Sequence, residues 1–356
     1  MQDIKSITQT ELEQILSEVG IPKYRSGQVL DWIYKKRIKT WGQMTNLPQE
    51  LREKLAKSHS MQMIELVEKQ GSADTTQKFL WRLDDGQLIE SVLIPASPAL
   101  YGDTADRRTL CVSSQVGCAY GCHFCASGLN GWKRNLLPNE IVEQILRAEE
   151  ISGEKVNNIV FMGMGEPLAN YDNLIRAVEI INAPWGIGIG ARKITISTSG
   201  LVPQIKKLAK EPWQIRLAIS LHGATDEVRS QIMPVNQKYP LEDLIRACQE
   251  FQKAKKQFIS FEYILIEGVN DSQQDADNLG KLSNRLKAKV NLIPYNTVDG
   301  LHWKRPSEAQ QESFLARLEK VGVPATLRRE KGHDIDAACG QLRLRTEREG
   351  QLGLSS

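Results

Sequence analysis

A chain of 356 residues with 46 Lys+Arg against 43 Asp+Glu, 41% apolar residues, 26 Gly and 14 Pro lies in the ordinary globular range, which excludes a disordered, collagenous or disulfide-stapled protein. The net charge of +3 permits contact with nucleic acid without announcing it. No apolar run approaches the roughly 18 residues of a membrane span, and Asp3, Lys5, Glu11 and Glu13 stand where a secretory signal would be apolar, so a cytoplasmic protein with no membrane partner is expected.

Leu12, Ile15, Leu16 and Val19 recur at helical spacing and stop before Gly20, which predicts a first helix. A second is predicted over Arg25 to Lys36, with Val29, Leu30, Trp32 and Ile33 on its apolar side, and a third starts at Pro48 and carries Leu51 and Leu55. Residues 1–75 therefore read as a small helical accessory domain. Its basic run of Lys35, Lys36, Arg37 and Lys39, near Trp41, fits a phosphate contact or a solvated helix end equally well. Residues 76–107 read as a hairpin and linker: the β-prone runs Lys78 to Leu83 and Leu88 to Ile94 flank an Asp85–Gly86 turn, and a Pro/Gly/Asp-rich loop follows from Pro95 to Asp106.

From residue 108 to about 345, β-branched runs alternate with amphipathic stretches. Strands are predicted at Thr109 to Ser113, Asn158 to Met162, Lys193 to Ser197, Gln214 to Ser220, Ile259 to Ile266 and Lys289 to Ile293. Helices are predicted at Glu140 to Glu150, Asn173 to Asn182, Leu241 to Lys255, Asp275 to Leu286 and Ser307 to Val321. Six strand–helix units give an α/β chain with a parallel sheet. They are too few for a closed eight-stranded barrel but enough for an open partial (β/α)6 TIM-like barrel, and a doubly wound sheet meets the same pattern. Either arrangement puts the site at the C-terminal strand ends, and residues 346–356 form a tail.

Four of the six cysteines fall between Cys111 and Cys125, and in a reducing compartment they point to chemistry or metal ligation more than to staples. Cys118, Cys122 and Cys125 form C-x3-C-x2-C just after the first strand of the alternating region. Three thiolates on one short loop can hold three irons of a [4Fe-4S] cluster and leave the fourth open to a small molecule. Zinc is the alternative; it would want a fourth ligand, and His123 beside Cys122 departs from the usual spacing of separated pairs. Cys248 shares the apolar side of a predicted helix with Leu244 and Phe251 and reads as structural.

The cysteine loop, with Phe124 before its last thiol, resembles the radical S-adenosylmethionine (SAM) superfamily. The segment Gly163, Met164, Gly165, Glu166, Pro167 after the second strand is similar to that superfamily's glycine-rich turn. The run from Thr109 to Gly117 leading into the loop, together with the distal Cys339, narrows the resemblance to the RlmN/Cfr family of radical SAM RNA adenine methyltransferases, over the chain from its N-terminal helices to about Arg345.

That resemblance implies a partial barrel, a [4Fe-4S] cluster on Cys118, Cys122 and Cys125, and two SAM molecules per turnover. It implies that Cys339 first takes a methyl group and then delivers it, as a radical, to C2 of an adenine too electron-poor for ordinary displacement. Cys111 is implied to resolve the adduct through a disulfide with Cys339, and Glu90 to accept the C2 proton, with an exposed hairpin carboxylate as the plain alternative for Glu90. Gly165 and Glu166 are implied at the methionine end of SAM, and Ser197, Ser220, Leu221, His222 and Asn296 around its ribose and adenine. The implied partners are 23S rRNA near the peptidyl transferase centre, tRNA beside the anticodon, and a flavodoxin- or ferredoxin-like electron donor, with the enzyme a monomer. RNA would be met by the basic helical unit, Trp132 to Arg134, Lys253 to Lys256 and Arg328 to Lys331, and the target base would be unstacked. Two rivals stand beside this: a family member acting at adenine C8, and a non-catalytic metal-dependent RNA-binding protein, which leaves Cys339 and the glycine-rich turn without a task.

Overall fold

A computed structural model describes residues 1–72, 75–96, 106–129, 131–298, 300–328, 342–343 and 346. Strands β1 (Gln2–Asp3) and β2 (His59–Ser60) pair in parallel and close the ends of the N-terminal unit on each other. Between them lie α1 (Gln9–Glu18), α2 (Arg25–Leu30), which continues as a π turn over Asp31–Lys35, and α3 (Gln49–Ser58). Helix α1 begins with a reciprocal cap between Thr8 and Glu11 that satisfies two otherwise unpaired backbone N–H groups, and it buries Leu12 and Leu16.

The rest of the chain is built on one sheet. Its strands are β3 (Glu65–Gly71), β4 (Gln77–Arg82), β5 (Leu88–Pro95), β6 (Arg108–Cys111), β9 (Asn158–Phe161), β10 (Ile194–Thr198), β11 (Arg216–Ser220), β12 (Ile259–Leu265), β13 (Lys289–Pro294) and β14 (Ala325–Leu327). A separate antiparallel pair, β7 (Gln115–Gly117) and β8 (Trp132–Asn135), carries the cysteine loop between its strands. The sheet order is β14-β13-β12-β11-β10-β9-β6-β5-β4-β3, and every pairing from β6 to β14 is parallel. Helices α4 (Pro138–Ser152), α5 (Tyr171–Asn182), α6 (Val202–Leu208), α7 (Asp226–Ile232), α8 (Val235–Lys238), α9 (Leu241–Lys255), α10 (Gln273–Leu286) and α11 (Glu308–Lys320) alternate with the strands. The edge strands β14 and β3 do not pair, so the structure is an open partial barrel.

All six strands predicted in the alternating region are present, joined by a seventh, β14, too short to show a pattern. The hairpin of β4 and β5 is part of the barrel wall: β5 pairs antiparallel with β6, setting Val92 opposite Cys111. Strand β3 escaped prediction because Glu65, Glu68 and Lys69 break its apolar alternation, as charges on an edge strand do. The outer face of the sheet is apolar, with Leu110, Ile159, Ile196, Leu217, Phe261 and Leu292 buried beneath the helices. The inner face is polar near the N-terminal strand ends, where Thr109, Thr195, Arg216, Ser260, Glu262 and Asn291 line a cavity of about 620 Å³. A closed barrel would fill that volume with branched apolar side chains.

The N-terminal unit is welded to α4. The buried Lys5 ammonium lies 3.0 Å from Glu143, and Ser6 and Asn139 exchange hydrogen bonds at 3.1 Å. The basic run is largely consumed at home: Arg37 pairs with Glu149, Lys39 with Glu150 at 2.6 Å and Lys35 with Asp31 at 3.1 Å, while the Lys36 ammonium sits 3.6 Å over the Trp32 ring. Glu149 and Glu150 of α4 thus supply acidic partners to this run, while Lys35 and Lys39 remain about half exposed or more. Among the described residues no helix is long and apolar enough to cross a membrane.

Candidate active site

The cysteine loop leaves β7 through Gly117, at φ +73°, where a Cβ would lie 1.9 Å from the Gly131 carbonyl oxygen, so only glycine lets the two arms of the loop approach. That closeness allows the Cys118 N–H to donate to Gly131 O at 3.2 Å, and Cys125 N–H turns back to Cys122 O at 3.1 Å. His123 faces away from the thiols: its N–H donates to Ile232 O at 2.9 Å and its Nδ1 lies 2.8 Å from Gln231 O, at the end of α7. With Nδ1 held by a carbonyl at the end of α7, only Nε2 of this ring remains open to a metal. Trp303 Nε1 donates to the His123 carbonyl at 2.9 Å and pins the outer side of the loop.

Burial pushes the Cys118 thiol up to about 12 and Cys122 well above the ordinary thiol value, and the charges of Cys118, Cys122 and Cys125 oppose one another. Such a set stays protonated alone and deprotonates only against a strong local positive charge, which is the donor set an iron–sulfur cluster takes. Arg229 is the cation that eases Cys122. Among the described residues no three His, Cys, Asp or Glu side chains gather on a single ion.

The glycine-rich turn follows β9. A Cβ on Gly163 would lie 2.7 Å from Ser113 N, and one on Gly165, at φ +96°, 2.5 Å from Gln115 Cβ. These glycines are required for the turn to pack on the segment leading from Cys111 to the cysteine loop. Glu166 is buried, its Oε2 accepting from Ser199 N–H at 2.7 Å and Oε1 from Leu168 N–H at 3.0 Å, while its own N–H donates to Gln115 at 2.8 Å. Desolvation nevertheless holds its pKa above the usual carboxylate value. The carboxylate thus ties the end of β9 to the end of β10.

At the next strand ends, Ser197 Oγ and Ser220 Oγ are 3.4 Å apart. His222 adopts φ +55°, accepts the Ile264 N–H on Nδ1 at 3.0 Å and meets the edge of Phe124 at 4.8 Å between ring centroids. Accepting on Nδ1 fixes the neutral tautomer with its proton on Nε2, and burial lowers the ring pKa to about 3. Leu221 is fully buried and contributes its backbone, donating to Glu262 O at 3.0 Å.

Two residues that sequence reasoning missed hold these ends. Arg229, fully buried, donates through Nε to Leu221 O at 3.0 Å, through one terminal nitrogen to Asn236 Oδ1 at 2.8 Å and through the other to Ser199 O. Asn270 donates to both His222 O and Ile264 O at 2.7 Å. Neither carries a local signature, since an Arg in a short helix and an Asn in a turn are ordinary on a surface.

A cavity of about 250 Å³ opens above the polar chamber and is lined by Cys111, Phe124, Cys125, Met162, Tyr295 and Asn296 among others. The structure therefore brings Cys111, Cys125 and Asn296 to one space, while Ser197 and Ser220 lie at the C-terminal ends of β10 and β11 and Gly165, Glu166 and His222 in the turns after β9 and β11. Glu90 is buried, contrary to the exposed-hairpin alternative, because β5 lies inside the sheet. Cys248 is fully buried in the helix layer, as its position on α9 predicted. Cys339 and the segment Arg329 to Lys331 lie outside the described residues. No disulfide joins the described cysteines to one another.

Comparison with known proteins places this geometry. Residues 112–279 match the Radical SAM superfamily, and residues 2–61 match the ribosomal RNA large subunit methyltransferase N-terminal domain. A probable dual-specificity RNA methyltransferase RlmN of Akkermansia muciniphila is 59% identical over 97% of this chain and 96% of its own. One from Desulfitobacterium hafniense is 45% identical over 98% of both. The crystal structure of a radical SAM methyltransferase from Sphaerobacter thermophilus, 43% identical, superposes with a TM-score of 0.89 over 96% of this chain and 99% of that one. The chain is a member of the RlmN family and an enzyme of the radical SAM methyltransferase class.

Proposed function

We propose that the chain methylates C2 of adenine in 23S rRNA, near the peptidyl transferase centre, and in tRNA beside the anticodon. The observation that carries the reading is the shared cavity of Cys111 and Cys125, which supports a second thiol chemistry next to the cluster loop. A [4Fe-4S] cluster on Cys118, Cys122 and Cys125 would supply, with SAM and a flavodoxin- or ferredoxin-like donor, one-electron chemistry at carbon. Ser197, Ser220, the Leu221 and His222 turn, Asn296, Gly165 and Glu166 are the residues assigned to hold SAM.

Cys339 acts as methyl carrier and consumes one of two SAM molecules per turnover. Once its methylene radical has added to adenine C2, Glu90 takes the C2 proton, and the unpaired electron left on the base would pass back to the one-electron centre held by Cys118, Cys122 and Cys125. The Cys111 thiolate then attacks the Cys339 sulfur, forming an S–S bond and breaking the sulfur–methylene bond, and the released carbon is protonated to the product methyl. Reduction of that disulfide completes the cycle. Cys111 is suited to be the stationary partner, because β5 and β9 bond its strand on both sides. Two residues separate Cys339 from the buried Leu342, and at most about 3.6 Å per residue keeps the carrier close to that anchor. A monomeric, cytoplasmic enzyme completes the reading.

Nucleoside mass spectrometry of rRNA and tRNA from a deletion strain, complemented with wild type, C339A or C111A, tests it. Loss of 2-methyladenosine from both RNAs, restored only by wild type, is expected. A methyl at C8 assigns the other family activity, and unchanged 2-methyladenosine overturns the proposal. Stoichiometric zinc without SAM cleavage in anaerobically purified protein would instead identify an RNA-binding module.

A further inference from the structure

A charged pair is sealed into the wall of the cleft. Lys78 on β4 and Glu90 on β5 have side-chain exposures of 0% and 2%, and Lys78 Nζ lies 2.9 Å from Glu90 Oε2. Strand alternation puts both on the cavity side of the wall, since Val92, which lines the cavity, faces Lys78 across one ladder and Cys111 across the other. Removing two charges from water is costly, and apolar side chains of similar volume hold a hairpin at least as well. The pair therefore has a task beyond joining β4 to β5.

The second oxygen of Glu90 shows what the task is. Oε1 accepts the backbone N–H of Arg343 at 2.6 Å, a contact spanning 253 positions of sequence. Leu342 and Arg343 are buried there at 0% and 1% exposure. On the opposite side of the same residue, the Glu90 carbonyl accepts from Ser113 Oγ at 2.6 Å, two positions beyond Cys111. One carboxylate is thus held by an ammonium on one oxygen and grips the main chain of the C-terminal segment with the other.

Building on the function proposed above, we infer that Lys78 is a positioning residue. It orients the Glu90 carboxylate so that Oε1 moors the segment carrying Cys339 beside the strand carrying Cys111. Recognition runs through a backbone N–H, so it does not depend on the side chain at position 343. A charged acceptor makes the stronger bond to both Lys78 and the amide. When Glu90 takes the C2 proton, its hold on both partners weakens in the same step. The mooring then loosens at the stage where the Cys339 sulfur must turn toward Cys111.

Hydrogen–deuterium exchange over residues 342–346 of the anaerobically purified full-length holoenzyme reads the mooring directly. E90Q imitates the protonated carboxyl, and exchange at least about tenfold faster than wild type is expected in E90Q and K78M, with K78R close to wild type. The double variant K78M/E90Q is expected to stay unprotected although it contains no unpaired charge. Wild-type exchange in E90Q, or protection regained in the double variant, overturns the inference, since the pair would then serve only its own burial. Melting curves establish that each variant folds, and if K78M does not, E90Q and the double variant decide. In RNA methylation, K78M should lower kcat with KM little changed, because a misdirected Glu90 still leaves the RNA site intact, and K78R should restore kcat. A wild type that makes no 2-methyladenosine refutes the function and leaves the exchange result standing; a methylating wild type with unchanged exchange in E90Q refutes only the mooring.

Discussion

His222 has the strongest consequence for pH of any single residue near the site. Its folded pKa of about 3 lies below that of an unfolded histidine, so the unfolded chain binds the extra proton first and stability is lost as pH falls from about 6.5 toward 3. Between pH 7 and 5 the loss from this residue is about 2 kcal/mol. H222N tolerates the positive φ and keeps an acceptor for Ile264, so urea denaturation at the two pH values should show a loss smaller by that amount. An unchanged loss in H222N would place the pH sensitivity elsewhere. Gly165 makes a steric prediction: G165A brings a Cβ against Gln115 at an unfavourable φ and should cost about 3 kcal/mol by the same measurement, whereas a cost under about 0.5 kcal/mol would show that the turn can shift. The three thiols proposed to hold the cluster were legible in sequence because one loop contains all of them and their spacing stands out. Lys78 and Arg229 were not, because their burial and their partners on neighbouring strands and turns are set by the fold and leave no mark in the local sequence.

The strand ends act together through Arg229, whose planar fork joins the carbonyls of Ser199 after β10 and Leu221 after β11 to the Asn236 side chain. Lysine keeps the charge but cannot span three acceptors, so R229K should lower stability by about 3 kcal/mol and weaken SAM binding in equilibrium titrations of holoenzyme. Wild-type affinity in R229K would separate the clamp from the ligand site. Strands with β-branched runs were readable from the sequence one by one, but their order in the sheet was not, since a partial barrel and a doubly wound sheet both met the same alternation. The joining of the β4–β5 hairpin to β6 was not, since an antiparallel hairpin gives no sign of which neighbour it will meet. The glycine-rich turn illustrates the same limit: its place after β9 was evident, but the demand for glycine comes from Ser113 and Gln115 on another element.

For the molecule as a whole, the N-terminal unit and the barrel share a buried electrostatic seam. K5M leaves the Glu143 carboxylate without its cation and should cost about 3–5 kcal/mol at neutral pH. Burial already raises the Glu143 pKa, so this deficit should shrink at pH 5, where a carboxyl that has lost its cation can protonate in the fold; a deficit independent of pH would point to lost packing instead. The helices of this unit were legible from apolar periodicity, while its attachment was hidden in charges that read equally well as surface. The inner polar face of the barrel has a consequence of another kind. Because the helices outside supply the apolar burial, residues such as Thr195 and Ser260 carry little of the folding free energy. T195V should change the denaturation midpoint by no more than about 0.5 kcal/mol equivalent, and a larger loss would show that the lining bears weight. A scaffold that stands on its exterior leaves its interior open to evolutionary revision: the lining can change chemistry from one relative to the next without the fold having to be stabilised anew.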